Sequence, residues 1–227
     1  MRDSVAVIAA HADDEVLGCG GTIARLARTG RAVHILLLAD GETSRALNQE
    51  AGSVAVAARK AAASAACATL GAQSVELLDL PDNRLDGLEL LDVVKRVEAF
   101  VARYEPAQLF THHYGDVNID HNVVHDAVLA ACRPQPGHCV RELLYFEVPS
   151  STEWRTPGSL PPFQPNWFFD ISETLQTKLD ALRAYEHELR EFPHPRSYRA
   201  VEALAQWRGA SIGVRAAEAF VLGRKLS

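Results

Sequence analysis

The segment running from Val5 to Gly21 constrains this chain more than any other. A short apolar run, Val5 to Ala10, stops at His11, and Asp13, Asp14 and Glu15 follow at once. An apolar run of that length, bounded by charge and then by Gly18, Gly20 and Gly21, reads as a buried strand of a parallel sheet leading into a helix. Open α/β sheets place their functional groups beyond the carboxyl ends of the strands, so the charged cluster falls where such a fold builds a site. One imidazole and three carboxylates within the five residues 11–15 are costly to hold together unless something positive joins them. A divalent cation is the simplest such partner.

The remaining pattern extends this frame. Strands are expected at 3–9, 32–38, 74–78 and 107–111, with helices at 18–29, 54–70, 88–103 and about 120–132 between and after them. Strand–helix alternation with polar strand ends predicts an α/β fold: a Rossmann-like, mostly parallel sheet flanked by helices. Residues 43–53 mix Ser, Asn, Gln and Gly and read as a mobile loop near the site. Beyond strands at 141–147 and 166–170 the pattern predicts a C-terminal helical extension: a long helix at 172–191, then helices at 197–208 and 211–222. The loop between those two strands holds Pro149, Pro157, Pro161, Pro162 and Pro165, and a loop of that length over such a face reads as a substrate wall or lid. No linker or internal repeat interrupts the chain, so residues 1–227 are expected to form one domain.

Composition narrows the function classes. A net charge of −6 disfavours a nucleic-acid or membrane-surface binder, since both need a basic face. No apolar run approaches the ~20 residues of a bilayer span, and the N-terminus lacks a signal-peptide pattern. Cys19, Cys67, Cys132 and Cys139 form no C-x-x-C pair, which points to a reduced, cytoplasmic protein. A homo-oligomer stays open.

A catalytic zinc takes three protein ligands and keeps one position for water. His11 and Asp14 can supply two from one turn. The third is expected from another strand end, where two regions qualify. His112 and His113 close the strand at 107–111, and Asp116-x-Asn118-x-Asp120-His121 stands at the mouth of the next helix. His121 and His125 also share one helical face at i and i+4.

The run His11-Ala12-Asp13-Asp14-Glu15 with Gly18 and Gly20-Gly21 resembles the His-Pro-Asp-Asp-Glu signature of the LmbE-like, or PIG-L, zinc-dependent de-N-acetylases. Asp120-His121 resembles the end of their second signature, His-Pro-Asp-His. Arg208-Gly209, Gly213 and Ala217-Glu218-Ala219-Phe220 are similar to the C-terminal pattern of many bacterial members. The resemblance spans nearly the whole chain. It implies hydrolytic removal of an acetyl group from an amino-sugar-containing small molecule or glycoconjugate precursor. It makes His11, Asp14 and His121 the ligands of one Zn2+ per chain, another divalent metal serving as the alternative, and Asp13 the general base. Two departures stand out: Ala12 replaces the usual Pro, and Asn118 replaces the first His of the second signature, which leaves the proton donor to the leaving group unassigned. His112, His113, Tyr114, His194 or Asp13 itself are the candidates.

Other residues carry two readings each. Glu15 and Asp120 read as carboxylates that orient a ligand or cap a helix. Arg59 aligns with a family arginine near the site and reads equally as a surface cation. His125 reads as a helix-face residue. His194 and Arg196 sit in a proline-flanked loop that either touches substrate or merely connects. Trp154, Trp167 and Trp207 could stack on a sugar ring, with core packing the default for each. Gly18, Gly20 and Gly21 match half of a dinucleotide fingerprint, which keeps a nucleotide-binding oxidoreductase or transferase as the rival reading. A catalytically silent sugar-binding relative is the third, motivated by Asn118.

Overall fold

A computed structural model describes residues 4–41, 49–156, 158 and 160–227. The chain runs β1 (Ser4–Ala9), α1 (Asp14–Arg28), β2 (Ala32–Ala39), α2 (Gln49–Leu70), β3 (Ser74–Leu80), α3 (Leu90–Tyr104), β4 (Gln108–His112) and α4 (Ile119–Ala131). It continues through β5 (Glu142–Phe146), β6 (Trp167–Asp170), α5 (Leu175–Leu182), α6 (Tyr198–Ala210) and β7 (Ala217–Lys225). The strands form a seven-stranded sheet in the order β3-β2-β1-β4-β5-β7-β6. β1 pairs in parallel with β2 on one side and β4 on the other. The chain therefore leaves β1 toward one edge and later returns to build toward the opposite edge. That reversal opens a crevice beyond the carboxyl ends of β1 and β4.

Both faces of the sheet are covered, which explains the unbroken apolar run of β1. Val5, Val7 and Ala9 pack with Val16, Leu17 and Ile23 of α1, Leu70 of α2 and Val201 of α6. Ala6 and Ile8 face the other way, against Val93, Val97 and Val101 of α3 and Val124 and Val128 of α4. The 93, 94, 97, 100, 101 spacing of buried residues on α3 is the one-sided stripe of a helix lying on a sheet.

α1 is interrupted at Cys19 (φ −148°, ψ 24°). An interruption frees backbone N–H and C=O groups inside the protein, and a buried ion pair serves them. Glu218 accepts from Gly21 N at 2.9 Å and Thr22 N at 2.6 Å. Lys178 Nζ donates to Leu17 O at 2.8 Å and to Glu218 Oε1 at 2.6 Å. The glycines around the break are demanded by packing. A Cβ on Gly18 would lie 2.4 Å from Phe146, and one on Gly21 would lie 2.7 Å from Ile171. Close contact with side chains of the same protein, rather than a nucleotide phosphate, accounts for this part of the glycine pattern.

Four sequence expectations change. Residues 217–225 form a strand, where a helix was expected over 211–222. The Ala-Glu-Ala start favours a helix locally, but the segment sits between β5 and β6 and pairs antiparallel with both, Phe220 opposite Phe146 and Trp167. Sheet pairing and the full burial of Ala217 and Phe220 override propensity. The helical extension thus ends in a strand that makes the sheet mixed. The helix expected at 172–191 is α5 followed by a 3-10 segment over Arg183–Glu188, irregular at Tyr185 (φ −108°, ψ 28°), where the tyrosine hydroxyl bonds Glu15. Helix α1 begins at Asp14 rather than at 18. Of the loop expected at 43–53, residues 43–48 lie outside the described residues, and 49–53 belong to α2.

Candidate metal centre

β1 ends at Ala9, and the next residues turn sharply. Asp13 adopts φ 122° and ψ −29°, a backbone region that L residues with a Cβ rarely occupy. The turn is held by His11 N donating to Asp14 Oδ2 at 2.9 Å and Asp13 N donating to Glu15 Oε2 at 3.0 Å. Asp13 O also accepts from Leu17 N at 2.9 Å. The turn throws successive side chains in different directions: Asp14 inward, Asp13 to a cavity, Glu15 behind.

His121, in the first turn of α4, meets Asp14 from the far side of the crevice. Its Nε2 lies 3.3 Å from Asp14 Oδ2, and His11 Nδ1 lies 3.3 Å from the same oxygen. Neighbouring carboxylates fix which nitrogen of each ring faces Asp14. Asp120 Oδ2 and Asp82 Oδ1 sit 3.1 Å and 3.2 Å from His11 Nε2. Asp116 Oδ2 sits 3.1 Å from His121 Nδ1. Asp116 is itself anchored by the Ser151 and Thr152 hydroxyls. Asp120 is anchored by the Asn83 and Leu85 amides. With those outer nitrogens as donors, the ring lone pairs of His11 and His121 point at a carboxylate.

Ligand atoms of His11, Asp14 and His121 all lie within 4.8 Å of one another. Asp14 Oδ1 and His121 Nε2 are buried without any hydrogen-bond partner. Buried acceptors aimed at one another are costly, and a divalent cation satisfies all of them, so the residues present fit a metal. The titration tendencies agree. Burial alone would lower His121, yet the Asp14 and Asp116 carboxylates hold it up at about 9. His11 is likewise held well above the usual histidine range, against burial, by Asp120, Asp14 and Asp82. Asp14 stays well below the usual carboxylate range although burial opposes this, because His121 and His11 face it. The centre is built around positive charge.

His112 also approaches Asp14, at 3.5 Å through Nε2. That nitrogen accepts from Ala10 N at 2.9 Å, so its lone pair is engaged and the ring is a buried prop behind the cluster. His113 lies outside the cavity with Nε2 3.4 Å from Pro161 O. His125 Nδ1 pairs with the His112 carbonyl at 2.9 Å, away from the metal triad.

Beside the triad lies a cavity of about 450 Å³ lined by His11, Asp13, Arg59, Asn118, His194 and Arg196, among others. Asp13 is 3% exposed. Burial pushes its carboxyl up to about 6, opposed chiefly by Arg196. Glu15 does not line the cavity; it accepts from Tyr185 Oη at 2.6 Å, and burial pushes it up to about 7. Arg59 Nη2 pairs with Glu188 Oε1 at 2.7 Å, and the guanidinium also contacts the Ala12 and Gly41 carbonyls. Asn118 caps α4, its Oδ1 accepting from Asp120 N at 2.9 Å. Trp154 is 52% exposed on the cavity wall with its ring edge to His194. Trp207, also exposed, is not among the residues lining this cavity.

Asp116 stood in the sequence only as part of a region able to supply the third ligand, and Asp82, Ser151 and Tyr185 carried no expected role. Asp82 follows β3 in a Pro-Asp-Asn turn and Asp116 follows β4, so a polar residue just past a parallel strand was the available signal. Ser151 and Tyr185 left no such signal.

A parallel-sheet crevice carrying two histidines and an aspartate around one point, with a second aspartate on the cavity wall, defines an α/β protein with a candidate catalytic metal site. The family model for PIG-L, described as GlcNAc-PI de-N-acetylase, matches residues 6–132. The chain belongs to this family. It is 28% identical over 191 residues to YaiS of Escherichia coli K12, an uncharacterized deacetylase, covering 82% of this chain and 91% of that one. It is 26% identical over 200 residues to the diacetylchitobiose deacetylase of Thermococcus kodakarensis, covering 82% and 70%. Among solved structures, the conserved protein TT1542 from Thermus thermophilus superposes with a TM-score of 0.76 at 27% identity, covering 100% of this chain and 97% of that one.

Proposed function

We propose that this chain, as one domain over residues 1–227, is a zinc-dependent hydrolase that removes the acetyl group from an N-acetylated amino sugar or a small molecule containing one. The observation that carries this is the convergence of His11, Asp14 and His121, with buried unpartnered acceptor atoms, next to the cavity that Asp13 lines. Family membership and the deacetylase relatives, one of them acting on diacetylchitobiose, support the substrate class.

His11, Asp14 and His121 would hold the ion. When bound, zinc lowers the pKa of water toward ~7 and polarises a carbonyl. The protein's own groups do the rest. Asp13 is not one of the three converging residues, so its carboxylate is free to take the proton of the attacking water at Oδ1, the oxygen that Arg196 leaves. Oxygen–carbon bond formation at the acetamide is followed by cleavage of the C–N bond, and Asp13 returns its proton to the departing amine. Acetate and a free amine result. Asn118, locked as a helix cap, is a neutral neighbour in this scheme. Exposed Trp154 with His194 forms the cavity wall on which a sugar ring can lie.

The test is acetate release from a panel of N-acetylglucosamine derivatives by protein loaded with zinc, and by protein stripped with chelator. Activity is expected only after loading. Zinc bound without acetate release across the panel would favour the silent sugar-binding reading, and nucleotide binding without metal would favour the rival enzyme class.

A further inference from the structure

Arg196 lies far along the chain from the signature residues, yet it bonds the residue assigned the proton transfer. Its Nη1 donates to Asp13 Oδ2 at 2.9 Å, and its Nε donates to Ser150 Oγ at 2.7 Å. The guanidinium is therefore held at two points, with the base at one end and the turn after β5 at the other. That turn is fixed in its own right. Ser150 N donates to Glu153 Oε1 at 2.7 Å, and the next residue, Ser151, bonds Asp116 behind His121.

Asp13 needs such a hold. Its backbone sits at φ 122°, where the surroundings rather than intrinsic preference decide the conformation. Glu15 secures the Asp13 amide. Among the described residues, Arg196 is the side chain that hydrogen-bonds the carboxylate. Arg59, the neighbouring guanidinium, is directed to Glu188 and to two backbone carbonyls. Asn118 is committed to its cap.

We propose that Arg196 is a positioning residue for the reaction: it occupies Oδ2 of Asp13 and so presents Oδ1 to the attacking water. A planar fork with separate donors bridges Ser150 and Asp13 in one fixed geometry, which a compact ammonium on a flexible stem does not impose. A carboxylate displaced by about 1 Å from its working position loses on the order of a hundredfold in rate. This inference rests on Asp13 being the general base.

The test compares Arg196→Gln, Arg196→Lys, Ser150→Ala, Asp13→Asn and the double variant Asp13→Asn/Arg196→Gln, all zinc-loaded, with N-acetylglucosamine derivatives as substrates. Arg196→Gln is expected to lower kcat roughly tenfold to a hundredfold, leaving KM and zinc content at wild-type values. Arg196→Lys should recover part of that loss. Ser150→Ala, which removes only the far anchor, should give a smaller drop in kcat. In the Asp13→Asn background Arg196→Gln should cost nothing further, because two residues acting as one unit are not additive.

A raised KM with an additive loss in the double variant overturns the proposal in favour of direct substrate contact. Wild-type kcat in Arg196→Gln with inactive Asp13→Asn overturns it while sparing the base. An active Asp13→Asn overturns the base and the positioning role together. Should Arg196→Gln lose its fold by circular dichroism, Arg196→Lys and Ser150→Ala still decide, since wild-type kcat in both rejects the proposal.

Discussion

Helix α1 has two buried charge clusters along it, and they are finished differently. At its start His11, Asp14 and His121 converge with Asp14 Oδ1 and His121 Nε2 left without partners. At its interruption Lys178 and Glu218 form a complete set: cation against anion, with the freed backbone groups of α1 bonded to them. Both cost desolvation. The second recovers it inside the chain and holds α1 in its broken shape. The first leaves acceptor atoms unpartnered, a set that a divalent cation would complete. An unfinished buried cluster is a site, and a finished one is a joint.

The largest expected effect separates chemistry from binding within the first cluster. Asp13→Asn should lose about 10²-fold to 10⁴-fold in kcat while zinc content by atomic absorption stays at one ion per chain. Loss of zinc in this variant would make Asp13 a ligand and break the division of roles. His11→Ala and His121→Ala should lose zinc, measured by competition with a chromogenic chelator. Chelator should also lower the Tm of the wild type and leave that of His121→Ala unmoved, because only a protein that binds the ion gains stability from it.

The joint should behave in the opposite way. Lys178→Met leaves Glu218 buried without its cation, and an uncompensated buried charge costs about 3–5 kcal/mol. Urea unfolding should show that loss, whereas zinc affinity and kcat per folded molecule should change little. If zinc affinity fell in proportion to stability, the two clusters would be one coupled unit. Gly21→Ala, which drives a Cβ into Ile171, should destabilise by about 1–3 kcal/mol. The smallest effect is expected at Trp207→Ser, within about 0.5 kcal/mol for an exposed side chain away from both clusters.

One side of the candidate site was legible in the chain because its residues are adjacent at a strand end, whereas the choice of His121 over His112 and His113 rested on the family resemblance. His11, Asp13 and Asp14 follow one apolar strand, and His121 follows another. The hold on Asp13 was not legible. Arg196 read as a loop residue that either touches substrate or merely connects, and no spacing links position 196 to position 13. Glu218 was visible only as part of a pattern, because the helix break it serves depends on Gly18 and Gly21 packing against Phe146 and Ile171.

By itself the sequence determined the α/β alternation, the buried β1 and the placing of His11, Asp13 and Asp14 at its carboxyl end. Each follows from periodicity or from chemistry packed into a few adjacent positions. Only the tertiary structure decided that residues 217–225 form a strand, that His112 Nε2 accepts from the Ala10 amide, and which nitrogen of His11 and His121 faces Asp14. The physical reason is common to all three. Local propensity and residue type are short-range, whereas sheet pairing, lone-pair direction and the partner of a buried charge are fixed by groups brought together from distant parts of the chain.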